Sequence, residues 1–118
     1  MTKKNKPAEP AKQRSVRRCP FVASVEVTEP LSGARLSGRT SEIGLGGCYV
    51  DVLNPLPNGT LVEMRMIRDQ GVFEAKAKVV YGDAGFGMGL AFTEMTADQR
   101  LVLEAWLVEI VSQLKSVL

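Results

Sequence analysis

The chain has no histidine and only two cysteines, Cys19 and Cys48, with no CxxC pair. Without imidazole it lacks the side chain that most often moves protons near neutral pH. Two isolated thiols leave a zinc site or a dithiol redox centre without its ligands. No Walker-type phosphate loop is present. No apolar run approaches the ~18 residues that a membrane helix needs. The basic N-terminus lacks the apolar core of a secretory signal, so free thiols in the cytoplasm are the expectation. These absences remove catalysis, metal sites, resident cofactors and membrane spans from the expected functions, and leave binding.

What is present fits one domain. The chain has 118 residues, 45% hydrophobic and 24% charged, enough to bury a core. Its net charge of +2 is unevenly placed. Seven of the 15 Lys/Arg lie in residues 1–18, against Glu9 alone among the acids. The eight basic and twelve acidic residues that remain make the body mildly negative. That pattern argues against a broad polynucleotide-binding face on the fold itself. Residues 1–13 are rich in Lys, Pro and Ala without apolar periodicity, and read as a flexible basic tail.

From Phe21 the pattern alternates with a period of two, which marks half-buried strands. Phe21, Ala23, Val25 and Val27 form one inner face; Leu36, Gly38 and Thr40 form the next. Cys48–Leu53 and Thr60–Arg68 follow, the latter with Val62, Met64 and Met66 inward. Phe73, Ala75, Ala77, Val79 and Tyr81 alternate next, then Phe86, Met88, Leu90 and Phe92. The small residues Gly87, Gly89 and Ala91 on the opposite face imply close packing against them. Six short strands with short turns predict an antiparallel β-barrel, mainly β in class, over about residues 20–94. The period then changes to 3.6. Thr96-Ala-Asp-Gln99 reads as a capping box, with Gln99 reaching back, and opens a helix over about 97–118. Its stripe is Leu103, Trp106, Leu107, Ile110, Val111, Leu114 and Val117. A small barrel does not cover so long a helix, so its end is expected to contact another chain and support a homo-oligomer.

Two stretches carry the binding chemistry. Arg14, Arg17 and Arg18 stand where the tail meets the first strand, and Pro20 bars a helix through Cys19. Glu42, with Gly44, Gly46 and Gly47, stands between the second and third strands, where glycine permits positive φ or close approach. An arginine fork suits guanine O6 and N7 or a phosphate, and a carboxylate suits guanine's donor edge. A ligand with guanines and phosphates would use the whole set. Single-stranded nucleic acid is a weaker fit. Such binders display aromatics, and here Phe21, Phe73, Tyr81, Phe86, Phe92 and Trp106 fall on inward faces, leaving Tyr49.

The chain resembles PilZ domains, bacterial receptors for cyclic di-GMP. Their RxxxR pattern before the first strand matches Arg14-Ser-Val-Arg-Arg18. Their DxSxxG pattern is matched in part by Glu42-Ile-Gly-Leu-Gly-Gly47, with Glu42 for aspartate, Gly44 for serine and Gly47 kept. The resemblance implies one PilZ-like domain over 14–118, with a split barrel and a C-terminal helix. It also implies that Arg14 and Arg18 hold guanine and phosphate groups, Glu42 contacts guanine, and Gly47 lets the backbone approach. An unidentified protein partner would read the liganded surface. The departures at Glu42 and Gly44 leave a second reading open, a degenerate PilZ module that binds protein partners without nucleotide.

Overall fold

The computed structural model describes residues 18–117, with side chains through residue 113. Six strands precede one helix among the described residues: β1 (Arg18–Glu29), β2 (Ala34–Gly44), β3 (Gly47–Asp51), β4 (Leu61–Arg68), β5 (Gly71–Asp83), β6 (Gly87–Glu94) and α1 (Ala97–Val117). All neighbours pair antiparallel. The order β1-β2-β3-β6-β5-β4 closes on itself, because β1 also pairs with β4. The expected six-stranded antiparallel barrel with a C-terminal helix is the observed fold. Among the described residues no helix is long and apolar enough to cross a membrane.

Alternation builds the core. Val25, Val27, Val62, Met66, Phe73, Val79 and Leu90 are at most 2% exposed and fill the barrel from four walls. Helix α1 closes one end with Leu103, Trp106 and Ile110. The Trp106 ring lies 5.5 Å from Phe21 and 6.2 Å from Phe73, centroid to centroid. Arg68 fixes the same corner. Its guanidinium stands 5.1 Å from the Phe21 ring centre, and its Nη1 donates to Glu109 Oε1 at 2.6 Å. Val111, expected in the buried stripe, is 40% exposed. Leu114, Val117 and the far end of the helix lie outside the described side chains.

The helix start differs in one detail from the expected box. Thr96 Oγ1 accepts from the Gln99 N–H at 3.2 Å, as a cap should. The Gln99 side chain does not reach back; its Oε1 accepts from the Glu74 N–H on β5 at 2.7 Å. That contact anchors the first turn of the helix to the barrel wall and satisfies a strand donor.

A β-bulge shapes the start of β1. Its register with β2 shifts between Pro20, opposite Glu42, and Ala23, opposite Thr40. The extra residue interrupts the ladder, and a buried side chain repairs it. Thr40 Oγ1 accepts from the Ala23 N–H and donates to the Phe21 carbonyl, both at 3.1 Å. Thr40 is the buried polar residue of the core, and both its hydrogen-bonding roles are used.

A second bulge overturns one expectation. Val79 pairs with Leu90, but Tyr81 pairs with Gly89, so β5 spends two residues where β6 spends one. The extra residue reverses the parity of everything after it. Tyr81, expected inside, is therefore on the outer face and 36% exposed. Phe86, also expected inside, is 75% exposed. It precedes β6 and belongs to the turn, where its N–H donates to the Asp83 carbonyl.

Candidate functional site

Of the arginines expected to bind, Arg18 is described; Arg14 and Arg17 lie outside the described residues. Arg18 opens β1 directly opposite Gly44, the last residue of β2. Its Nη2 stands 3.0 Å from where a Cβ on Gly47 would lie, so the guanidinium is laid over the first residue of β3. A side chain at Gly47 would also run into the Leu90 carbonyl oxygen. Gly47 is thus bare because another strand's backbone and an arginine head both need its space. The positive φ angles among the described glycines fall elsewhere, at Gly33, Gly59 and Gly85 in turns. Close approach, rather than unusual dihedrals, accounts for Gly47.

Glu42 was expected in the connection between strands. It lies on β2 itself, paired with Pro20 on β1 and Tyr49 on β3, and its side chain is exposed. The connection is shorter than expected, Leu45 and Gly46, and the Gly46 carbonyl accepts from Phe92 N–H at 2.8 Å. Residues two apart on a strand share a face. Glu42 and Gly44 therefore share the outer face, with Arg18 opposite Gly44. The structure brings Arg18, Glu42, Gly44 and Gly47 to one end of the β1-β2-β3 wall.

The thiols take no part in this chemistry. Cys48 is fully buried, and burial pushes its thiol up to about 12 although the Arg18 charge pulls the other way. A thiol so held is not a nucleophile near neutral pH. Cys19 is half-buried and free.

Beside Glu42 lies a feature that alternation concealed. The row Glu42–Tyr49–Gly89–Tyr81 crosses β2, β3, β6 and β5 on the outer face. A Cβ on Gly89 would run into the Tyr81 ring, and one on Gly87 would lie 2.6 Å from Tyr49 Cε2. The close packing implied by the small residues of β6 is these two rings, 6.0 Å apart and tilted by 32°. Tyr49 OH donates to Asp83 Oδ2 at 3.0 Å. Desolvation, that hydrogen bond and the nearby acids push the Tyr49 hydroxyl up to about 12, so it stays protonated as a donor. The usable signal was glycine at alternate positions of β6 with tyrosines on flanking strands; the bulge at Tyr81 hid it.

The comparisons with known proteins bear on this arrangement. The family model for the PilZ domain matches residues 11–109. The chain belongs to the PilZ family. PilZ domains are non-catalytic receptor domains. The cyclic di-GMP complex of the PilZ domain of YcgR from Escherichia coli superposes with a TM-score of 0.72 at 13% identity, covering 88% of this chain and 95% of that one. The PilZ domain of CeSA from a cellulose-synthesizing bacterium gives 0.59 at 22%, covering 74% and 90%. The Bacillus subtilis inhibitor of motility MotI/DgrA gives 0.65 at 18%, covering 80% of this chain and 50% of that chain, so this PilZ domain spans about half of it. No curated protein matches the chain.

Proposed function

We propose that this PilZ domain is a receptor for cyclic di-GMP in bacterial second-messenger signalling, with Arg14, Arg17 and Arg18 closing on the dinucleotide over the barrel wall. The observation that carries the reading is Arg18 in register with Gly44, its guanidinium over Gly47, with Glu42 on the same face. That set offers a cation for phosphate or the guanine O6/N7 edge, and a carboxylate for guanine's donors. Gly46, exposed in the connection, offers bare backbone for the ligand to approach, while Gly47 gives its space to the Arg18 head. The likeness to the YcgR PilZ domain, whose structure contains cyclic di-GMP, supports the reading. The test is calorimetric titration of the full chain with cyclic di-GMP. Saturable binding is expected, and Arg18→Ala should weaken it about tenfold or more, the loss of one charge-assisted fork. No heat at high micromolar ligand in low salt would overturn the reading.

A second reading, the degenerate module that acts through protein contacts alone, is favoured by the helix. Leu101 and Val108 of α1 are 63% and 67% exposed, and Val111 lies beside them. Light scattering with and without nucleotide separates the two readings: self-association that ignores nucleotide favours the second.

A further inference from the structure

We propose that Tyr49 is a stacking platform for a guanine base of the dinucleotide, continued by Tyr81 and held in place by Asp83. This rests on the cyclic di-GMP reading above and extends the site one strand beyond Glu42.

A base whose donor edge meets Glu42 must lay its face on something. Glu42 has two neighbours in its row, Pro20 on β1 and Tyr49 on β3. Side chains directly opposite on antiparallel strands stand about 4.5–5.5 Å apart at Cβ, a span that one purine bridges. Pro20 offers no aromatic face. Tyr49 offers one, and its ring is already placed. It lies over the bare backbone of Gly87, and its hydroxyl is tied to Asp83. The Tyr81 ring lies over Gly89 and extends the shelf to β5. Neither ring has to be ordered when a base arrives, which removes an entropic cost of binding.

The charges around the rings fit a base and not a phosphate. Asp51 and Asp83 flank the shelf on the outer face, with Glu42 at its other side. Guanine carries N–H donors that carboxylates accept, whereas phosphate is repelled by them. The cation, Arg18, lies over Gly47, two residues from Tyr49 along β3 on the side away from Asp51. The face is therefore polarised, phosphates toward Arg18 and a base toward Tyr49.

The test compares wild type, Arg18→Ala, Tyr49→Leu and Tyr49→Phe by calorimetry with cyclic di-GMP. Leucine keeps apolar cover over Gly87 and removes the π face; phenylalanine keeps the ring and loses the tie to Asp83. Tyr49→Leu is expected to weaken binding about tenfold, in line with the loss of one stacked base. Tyr49→Phe is expected to remain within about threefold of wild type, since a single neutral hydrogen bond is lost. Wild-type affinity in Tyr49→Leu, with binding lost in Arg18→Ala, overturns the platform and leaves the receptor reading standing. Absence of binding in the wild type overturns both. Should Tyr49→Leu fail to fold, the ring protons of Tyr49 in the wild type give the same answer. Stacking shifts them upfield at saturating ligand, and an unchanged position overturns the proposal.

Discussion

The barrel has two outer faces of opposite construction. On the wall made by β1, β4 and β5, residues alternate in sign across strands. Glu26 lies opposite Arg65, Arg65 opposite Glu74, and Lys76 opposite both Glu63 and Glu94. Arg65–Glu74 and Lys76–Glu94 are each closed at 3.3 Å, with side chains about half exposed or more. A groove of about 710 Å³ runs along this wall to Gln99, and its rim is these same pairs. On the wall made by β2, β3 and β6, glycines form the floor, with an arginine head and tyrosine rings laid on it. The first wall is made of long side chains that water can replace. The second is made of contacts in which backbone from one strand fits side chains from another. Only the second holds functional groups in fixed positions, and a ligand gains from groups that need no ordering.

Glycine substitution breaks the second wall most strongly. Gly87→Ala puts a methyl group against the Val50 carbonyl and the Tyr49 ring. Equilibrium denaturation is expected to show a loss of about 1–3 kcal/mol, the usual cost of overpacking. If stability is unchanged, the floor is looser than described and the contrast between walls fails.

Thr40→Val tests the seam where the two walls meet, between β2 and β1. Valine matches the shape and leaves the Ala23 N–H and the Phe21 carbonyl without the hydroxyl that serves them. A loss of about 1–3 kcal/mol is expected for unsatisfied buried groups. Amide exchange at Ala23 should speed up in step.

Alkaline titration sharpens the contrast without mutation. Cys48 and Tyr49 both belong to β3, and both are pushed up to about 12. The unfolded chain loses these protons first, at the ordinary values of 9.0 and 10.0. Their contribution is fully present below pH 9 and disappears as pH rises toward 12, so stability should fall across that window. Tyr49→Phe should remove the upper part of the fall. A curve flat to pH 12 would mean that water reaches both groups.

The charged wall should give the smallest response. Lys76→Ala breaks the exposed pair with Glu94 and is expected to cost at most about 1 kcal/mol, less in high salt. A larger loss would mean that this wall is also built rather than merely solvated.

How far the sequence led depended on whether period two held. Phe21 through Val27 and Val62 through Met66 read correctly because buried and exposed residues alternate without a break along each run, even beside the bulge at the start of β1. Tyr81 read wrongly because a single inserted residue reverses parity, and no composition rule marks where a bulge falls. Phe86 read wrongly because alternation was carried back ahead of the first residue of β6 into the preceding turn. Gln99 was recognised as part of a cap, but its side chain was claimed by a strand N–H distant in sequence. At the candidate site, Arg18, Glu42, Gly44 and Gly47 were legible from motif spacing. That Glu42 sits on a strand with Tyr49 as its cross-strand partner depends on register, which is a tertiary property.

Trp106 is the single tryptophan of the chain, and its ring rests on Phe21, three residues along β1 from Arg18. The protein therefore carries its own optical probe. The indole sits at the joint where the helix meets the strand that bears the arginine. Its emission colour reports how dry that joint is, and its anisotropy reports how tightly α1 is clamped. A label-free fluorescence titration can thus follow, in one cuvette, whether an event at the start of β1 is felt by the helix on the other side of Phe21.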